Sequence, residues 1–190
     1  MITSLPNLLT LSRIAVIPAL IASFYLDGEF SSWVPLALFT IAGLTDILDG
    51  YVARAMNEQS SLGKFMDPIA DKLLVATTIL MLVALDRIDG WAILPALIIV
   101  LREIVVSGLR EFLAEIRVSV PVSALGKWKT VVQLVALGFL ISGAAGDRVL
   151  PDALAATMIG DVGLWIAAFI TLISGYDYLR AGKSHLGVGV

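Results

Sequence analysis

The stretch WAILPALIIVLREIVVSGL, residues 91–109, is a long and predominantly apolar run. A helix needs roughly 20 predominantly apolar residues to cross the hydrocarbon core of a bilayer, which is about 30 Å thick. The stretch is long enough, and it begins with Trp91, a residue type that is enriched at the membrane–water interface. We therefore predict that residues 91–109 form a membrane-spanning helix.

The rest of the chain repeats this pattern. Five further apolar runs are Leu8–Leu26, Trp33–Val52, Ile69–Leu85, Thr130–Ala145 and Leu154–Ile173. The 190 residues are 58% hydrophobic and 15% charged, which is outside the usual range of soluble domains. Because the connections are short, we predict one all-α membrane domain over residues 1–190, a bundle of six transmembrane helices. The first run lacks the basic head of a secretory signal, so we expect it to remain as a span.

The placement of basic residues predicts the orientation of the bundle. They gather in the second and fourth connections and in the tail: Arg54, Lys64, Lys72, Arg110, Arg117, Lys127, Lys129, Arg180 and Lys183. Cytoplasmic loops carry an excess of Lys and Arg, so both termini are predicted to be cytoplasmic. The net charge of -3 is small and says little about partners. From the apolar runs we expect the lipid bilayer as a partner, and we expect no nucleic acid.

The residue types present restrict the possible chemistry. Cysteine is absent, and the single histidine, His185, lies in the polar tail. Thiolate sites are excluded, and a Ser-His-Asp triad or a histidine-based metal site is disfavoured. Catalysis in this chain must use carboxylates, hydroxyls, Lys or Arg.

Four aspartates lie where a membrane helix is predicted. Asp46 and Asp49 are three residues apart near the end of the second run, and Asp67 and Asp71 are four apart at the start of the third. Residues three or four apart share a helical face. Two helices joined by a short turn pack side by side, so all four carboxylates are predicted to converge.

These carboxylates require compensation. A lone ionised aspartate at the membrane centre costs about 2.5 to 3.5 kcal/mol on insertion scales, so four cost on the order of 10 kcal/mol before their shallower depth is considered. Bound cations would remove this penalty. Oxygen-only ligands favour hard ions, Mg²⁺ or Mn²⁺ with Ca²⁺ as a further option, and four carboxylates suit two ions.

Simpler explanations exist for some of these aspartates. Asp67 before Pro68 is typical of a helix N-cap, with Asp71 as a first-turn charge. Asp49 before Gly50 is compatible with a helix end. Capping does not explain Asp46, which lies well inside an apolar run.

The spacing of the aspartates matches a known pattern. In this chain it reads Asp46-x2-Asp49-Gly50-x2-Ala53-Arg54-x8-Gly63-x3-Asp67-x3-Asp71. This resembles the signature of the CDP-alcohol phosphatidyltransferases at every fixed position. Four shorter segments are similar to the bacterial branch of that family that makes phosphatidylglycerol phosphate: PNLLTLSRI at 6–14, REIVVSGLREF at 102–112, GKWKT at 126–130 and SGYDYL at 174–179.

The resemblance implies a reaction and a set of roles. Members of the family move a phosphatidyl group from CDP-diacylglycerol to an alcohol, here glycerol 3-phosphate, and release CMP. It implies Asp71 as the base, and Asp46, Asp49, Asp67 and Asp71 as ligands of two Mg²⁺ or Mn²⁺ ions. Contacts to the cytidine diphosphate are implied for Gly50, Arg54, Gly63, Asn7 and Thr10. A homodimer in the bacterial inner membrane, with its active site facing the cytoplasm, is also implied.

An acceptor with a dianionic phosphate requires a second basic cluster. Arg110, Lys127 and Lys129, around the fourth connection, are the candidates. Two other interpretations remain: Glu103 is seven residues before Arg110 and shares its helical face, so the two could pair, and the lysines could face anionic headgroups.

Two alternative functions remain open. The first is a sibling transferase that uses inositol phosphate, serine or phosphatidylglycerol as acceptor. The second is a divalent-cation or proton-coupled transporter, since such proteins also place carboxylates in the membrane. The acidic residues crowd one end of two adjacent runs without a mirrored second set, which favours the enzyme.

Overall fold

The computed structural model describes residues 5–56, 61–116, 118, 124–151 and 155–183. These residues form six α-helices, which are α1 Leu5–Ser23, α2 Phe30–Met56, α3 Ser61–Ala84, α4 Ile93–Glu115, α5 Ala124–Asp147 and α6 Ala156–Lys183. A short 3-10 turn, Gly90–Ala92, precedes α4, and the described part contains no strand. The predicted all-α class is confirmed, with one helix for each apolar run.

Within the part of the chain that the structure describes, three segments are long and apolar enough to cross a membrane, as judged by length and composition: Gly90–Glu115, Trp128–Asp147 and Ala156–Arg180. Two shorter apolar helical segments are Leu11–Ser23 and Phe30–Thr45. The length and composition of these helices indicate a membrane protein.

The bounds of α2 and α3 exclude the capping explanations for the aspartates. Helix α2 continues to Met56, so Asp49 and Gly50 do not lie at a helix end. Helix α3 begins at Ser61, which places Asp67 and Pro68 inside it. These two capping interpretations were wrong because both helices continue into polar sequence, where hydropathy no longer marks their ends.

Helix α6 supports the bundle by close packing against α5. A Cβ added at Gly160 would lie 2.6 Å from Cγ of Leu140, and one at Gly163 would lie 2.9 Å from Cβ of Ala136. Larger residues would push the helices apart, as expected where small residues allow close helix contact in a membrane. Helix α4 also packs on α6, while α1 packs on α2 and α3.

The core is apolar along most of the bundle. Leu20, Leu82, Ile99, Leu137 and Leu164 are completely buried and come from five different helices. Large apolar side chains also cover the outer surface, which suits a lipid solvent. A smaller cluster, Val106, Leu109, Leu113 and Tyr178, packs α4 against α6.

Arg87, in the connection between α3 and α4, ties several segments together. Its Nη1 donates to the carbonyl oxygen of Ile141 at 2.5 Å, and its Nη2 donates to that of Ser31 at 3.3 Å. Gly143 lies beside it with a φ of 48°, at a kink in α5. Burial lowers the pKa of the Arg87 guanidinium.

Candidate active site

The candidate site is a cavity of about 340 Å³ lined mainly by α3, α4 and α5, with single residues from α2 and α6. Its polar and charged lining residues are Asp71, Lys72, Arg102, Glu103, Arg110, Lys129, Thr130, Gln133 and Tyr178. An adjacent hollow of about 250 Å³ shares Lys72, Arg102 and Arg110 with it. Basic side chains outnumber acidic ones in both linings, so the combined space suits an anionic ligand.

Asp71 is the acidic residue that α3 contributes to this lining, and it forms an ion pair with Arg13 of α1. Nη1 of Arg13 donates to Oδ1 of Asp71 at 2.5 Å. The Arg13 side chain is fully buried, whereas 47% of the Asp71 side chain is exposed. Arg13 thus fixes one carboxylate oxygen and compensates the charge, while Asp71 remains accessible from the cavity. Our sequence-based site did not include Arg13, although a charge inside an apolar run was a usable signal.

Glu103 and Lys129 connect the two walls of the cavity. Lys129, on α5, is 3% exposed, and its Nζ donates to Oε1 of Glu103 on α4. Nη1 of Arg102 lies 3.8 Å from Oε2 of the same carboxylate. Within the described chain Glu103 therefore pairs with Lys129 and Arg102, and the suggested pairing with Arg110 was wrong. Glu103 and Arg110 are seven residues apart on one face of α4, but Glu103 contacts Lys129 of the neighbouring helix α5 instead.

Arg102 is positioned by the end of α6. Its Nη2 donates to Oγ of Ser174 at 3.0 Å, and its guanidinium carbon lies 5.8 Å from the centroid of the Tyr178 ring. A Cβ added at Gly175 would lie 3.1 Å from Cγ of Arg102. The segment SGYDYL, residues 174–179, thus holds the side chain of Arg102 in place. Its sequence alone did not reveal this role.

The structure places only part of the predicted site. Asp71, Arg110 and Lys129 line the cavity. Other predicted residues lie on helices α1, α2, α3 and α5, but their side chains lie outside what the structure describes: Asn7, Thr10, Asp46, Asp49, Arg54, Asp67 and Lys127. For Gly50 and Gly63, likewise, only the helical backbone is described. The nucleotide contacts therefore remain predictions.

The arrangement is compatible with bound divalent ions. Among the side chains that the structure describes, no group of three acidic residues is close enough to hold an ion. Three of the four predicted ligands are outside that set. Helices α2 and α3 run unbroken through them, which preserves the three- and four-residue spacings. Asp71 lines the cavity, and its carboxylate oxygens are of the hard type that Mg²⁺ and Mn²⁺ prefer.

Comparison with known proteins gives consistent results. A family model for CDP-alcohol phosphatidyltransferase matches residues 3–173. A CDP-diacylglycerol–glycerol-3-phosphate 3-phosphatidyltransferase of Rickettsia bellii (strain RML369-C) is 46% identical over 182 residues, covering 96% of this chain and 97% of the relative. A Haemophilus influenzae protein with the same name is 38% identical, with 96% and 95% covered. A cardiolipin synthase (CMP-forming) of Oryza sativa is 38% identical over 93% of this chain and 56% of that protein.

Proposed function

Because this chain belongs to the CDP-alcohol phosphatidyltransferase family, we propose that it transfers a phosphatidyl group from CDP-diacylglycerol to glycerol 3-phosphate. The products are phosphatidylglycerol phosphate and CMP. The observation that carries the proposal is the cavity that joins Asp71 to Lys72, Arg102 and Arg110. One space then holds a base for the acceptor hydroxyl and cations for the acceptor phosphate. The names of the bacterial relatives support the same acceptor.

Asp71 is proposed as the base of the reaction. The acceptor hydroxyl oxygen forms a bond to the phosphorus that carries the diacylglycerol. The bond from that phosphorus to the CMP oxygen breaks, and CMP leaves with the electron pair. Asp71 takes the hydroxyl proton as the new bond forms. Its half-exposed carboxylate at the cavity wall, oriented by Arg13, supports this role.

Asp46, Asp49, Asp67 and Asp71 are proposed to hold two divalent ions, Mg²⁺ or Mn²⁺. When bound, such ions neutralise the charge that develops on a diphosphate leaving group. The four carboxylates would hold these ions, and the ions would offset the repulsion between the carboxylates and the diphosphate of the donor. The unbroken helices through these residues support a shared site.

The nucleotide end of the donor is assigned to neighbouring residues. We propose that Gly50, Arg54 and Gly63 contact the cytidine diphosphate, with Asn7 and Thr10 beside them. The guanidinium of Arg54 has forked donors that suit a phosphate. Packing of α1 against both α2 and α3 supports a contribution from Asn7 and Thr10.

The acceptor phosphate is assigned to the basic end of the cavity. Arg110, Lys127 and Lys129 remain the proposed ligands, and the cavity lining adds Lys72 and Arg102. Lys129 is buried and its charge is balanced by Glu103, so it is less accessible to the phosphate than Arg110. The exposed Arg110 is better placed for direct contact.

The same reasoning extends to topology. We propose one domain of six membrane-crossing helices over residues 1–190, with both termini in the cytoplasm of a bacterium and the site at the inner face of its inner membrane. Trp91 is 80% exposed in the 3-10 turn just before α4, whereas Arg110 lies near the far end of that helix, which supports opposite interfaces at its two ends. Acyl chains then remain in lipid while the headgroup meets a soluble acceptor. We also propose a homodimer, from family resemblance alone.

The proposal is tested with a panel of acceptors. Purified protein receives CDP-diacylglycerol, Mg²⁺ and one acceptor: glycerol 3-phosphate, inositol phosphate, serine or phosphatidylglycerol. A relative named as a CMP-forming cardiolipin synthase is the reason to include a lipid acceptor. CMP release should be fastest with glycerol 3-phosphate. Faster release with another acceptor would overturn the assignment, and metal uptake by liposomes without CMP release would favour a transporter.

A further inference from the structure

Two buried polar atoms in the cavity lining have no hydrogen-bond partner among the described residues. They are Oε1 of Gln133, an acceptor, and Nε of Arg102, a donor. Buried polar groups in folded proteins are nearly always paired, so each such atom in a ligand cavity points to a partner supplied by the ligand. The ligand must then carry both an anionic or carbonyl oxygen and a hydrogen-bond donor.

We propose that Gln133 determines acceptor specificity by accepting a hydrogen bond from the hydroxyl of the acceptor that does not react. This inference rests on the proposed function. Glycerol 3-phosphate has two hydroxyls, and only one of them attacks phosphorus. The second hydroxyl is the donor that Oε1 of Gln133 lacks, and the phosphate oxygens are the acceptors that Arg102 lacks.

The position of Gln133 suits this role. It is 2% exposed and lies four residues after Lys129, on the same face of α5. Leu137, one further turn along, is completely buried in the apolar core. Along this face of α5, the paired cation of Lys129 is followed by the neutral amide of Gln133 and then by the apolar side chain of Leu137. Of the α4 residues that line the cavity, Arg102 is the farthest from the α4–α5 connection. Of the α5 residues that line it, only Leu134 is farther from that connection than Gln133. Arg102 and Gln133 therefore belong to the same end of the cavity.

The chemistry of the amide favours a hydroxyl at this position. A carbonyl oxygen accepts hydrogen bonds and repels phosphate oxygens, so the phosphate belongs on the side of the cavity lined by Lys72, Arg102 and Arg110, away from Oε1 of Gln133. An acceptor without the second hydroxyl would leave Oε1 of Gln133 buried and unpaired. The free-energy cost of such an unpaired group is what allows an enzyme to reject the analogue. The class of acceptor is therefore a short polyol phosphate with one hydroxyl to spare.

The test compares glycerol 3-phosphate with 3-hydroxypropyl phosphate, which lacks the middle hydroxyl. The wild-type enzyme should prefer glycerol 3-phosphate by about tenfold or more in kcat/KM. Gln133→Met keeps the size of the side chain and removes the acceptor atom, so it should lower this preference to about one while leaving KM for CDP-diacylglycerol unchanged. Thr171→Val is the matched control, because Oγ1 of Thr171 is also buried without a partner among the described residues but lies outside both linings. It should keep the preference.

Thermal melting separates recognition from a structural role. Without acceptor, Gln133→Met should melt no lower than the wild type, because an unpaired buried oxygen is removed. Saturating glycerol 3-phosphate should raise the Tm of the wild type more than that of the variant.

Each outcome decides the question. A wild-type preference near one, or an equal loss for both acceptors in Gln133→Met, would overturn the inference while leaving the proposed function intact. A lower Tm of the unliganded variant with an unchanged ligand shift would also overturn it. A wild-type enzyme that releases CMP only with a different acceptor would refute the proposed function and the inference together.

Discussion

Arg13 on α1 donates a hydrogen bond to Asp71 on α3 at 2.5 Å, and 58 residues of sequence separate the two. The guanidinium is inaccessible to solvent, whereas the carboxylate faces the cavity. This contact joins the first helix to the proposed base. It also shows that bound metal is not the sole compensation for charge near this end of the bundle.

Replacing Arg13 should affect the chemical step more than substrate binding. In Arg13→Ala the carboxylate of Asp71 loses the group that orients it, so we expect kcat to fall by about tenfold to hundredfold, since misplacement of about 1 Å can cost that much. KM for both substrates should change little. Arg13→Lys, which keeps the charge, should recover part of the rate.

CMP release by purified protein measures this effect. Arg148→Ala is the control, because Arg148 forms an exposed ion pair with Glu29. A wild-type kcat in Arg13→Ala would remove Arg13 from any positioning role.

The aspartates should each be indispensable. We expect Asp46→Asn, Asp49→Asn, Asp67→Asn and Asp71→Asn to abolish transfer without preventing membrane insertion, because the amide removes a ligand charge or the base. Asp86→Asn, at an exposed position with a φ of 53°, is the control and should be active. Assays on isolated membranes, normalised to protein level, measure both properties. Appreciable turnover in any of the first three variants would contradict shared metal ligation.

Removal of divalent ions should stop the reaction reversibly. Chelation by EDTA is expected to abolish CMP release, and added Mg²⁺ or Mn²⁺ should restore it, because oxygen-only ligands select hard cations. Metal-binding calorimetry on the chelated protein gives a readout apart from activity, and Asp46→Asn should weaken that binding. Full activity in EDTA would show that the reaction does not require a divalent ion.

Loss of one basic residue at the acceptor end should weaken acceptor binding selectively. We expect Arg110→Ala and Lys127→Ala to raise KM for glycerol 3-phosphate much more than KM for CDP-diacylglycerol, because each removes a proposed phosphate contact. Steady-state kinetics with each substrate varied in turn give the two constants. An unchanged KM for glycerol 3-phosphate would exclude that residue from the acceptor site.

The pair between Glu103 and Lys129 should matter for stability. Glu103→Gln leaves a buried ammonium group without its counter-charge, so we expect a loss of about 3–5 kcal/mol in the free energy of unfolding. Breaking the exposed pair with Glu29→Gln should cost about 1 kcal/mol or less.

Thermal melting of the detergent-solubilised protein compares these two variants. The double variant Glu103→Met, Lys129→Met should recover much of the loss, because apolar residues can replace a buried ion pair. Equal melting of Glu103→Gln and the wild type would show that the pair is not buried in solution.

The sequence predicted the helices well but not their ends. Hydropathy reports burial in lipid, so it located the apolar part of α2 but not its continuation to Met56. The same limit made Asp67 and Pro68 resemble a cap. Composition cannot distinguish a helix that leaves the membrane from one that stops there.

The site was predicted only where the signal is local. Asp71 was predicted because it belongs to a run of spaced aspartates, and the structure places it in the cavity lining. Arg13 and Gln133 were not predicted, because the contact of Arg13 with Asp71 and the placement of Gln133 in that lining depend on tertiary packing. Glu103 shows the same limit, since its spacing from Arg110 was visible in the sequence while its contact with Lys129 depends on tertiary packing.

Product analysis is the decisive test of phosphatidyl transfer to glycerol 3-phosphate with Asp71 as the base. Purified enzyme, CDP-diacylglycerol, glycerol 3-phosphate and Mg²⁺ are incubated, and CMP and the lipid product are quantified together, for the wild type and for Asp71→Asn. We predict equal amounts of CMP and phosphatidylglycerol phosphate from the wild type and neither from the variant. CMP formed without phosphatidylglycerol phosphate would refute transfer to glycerol 3-phosphate, and equal turnover by Asp71→Asn would refute Asp71 as the base.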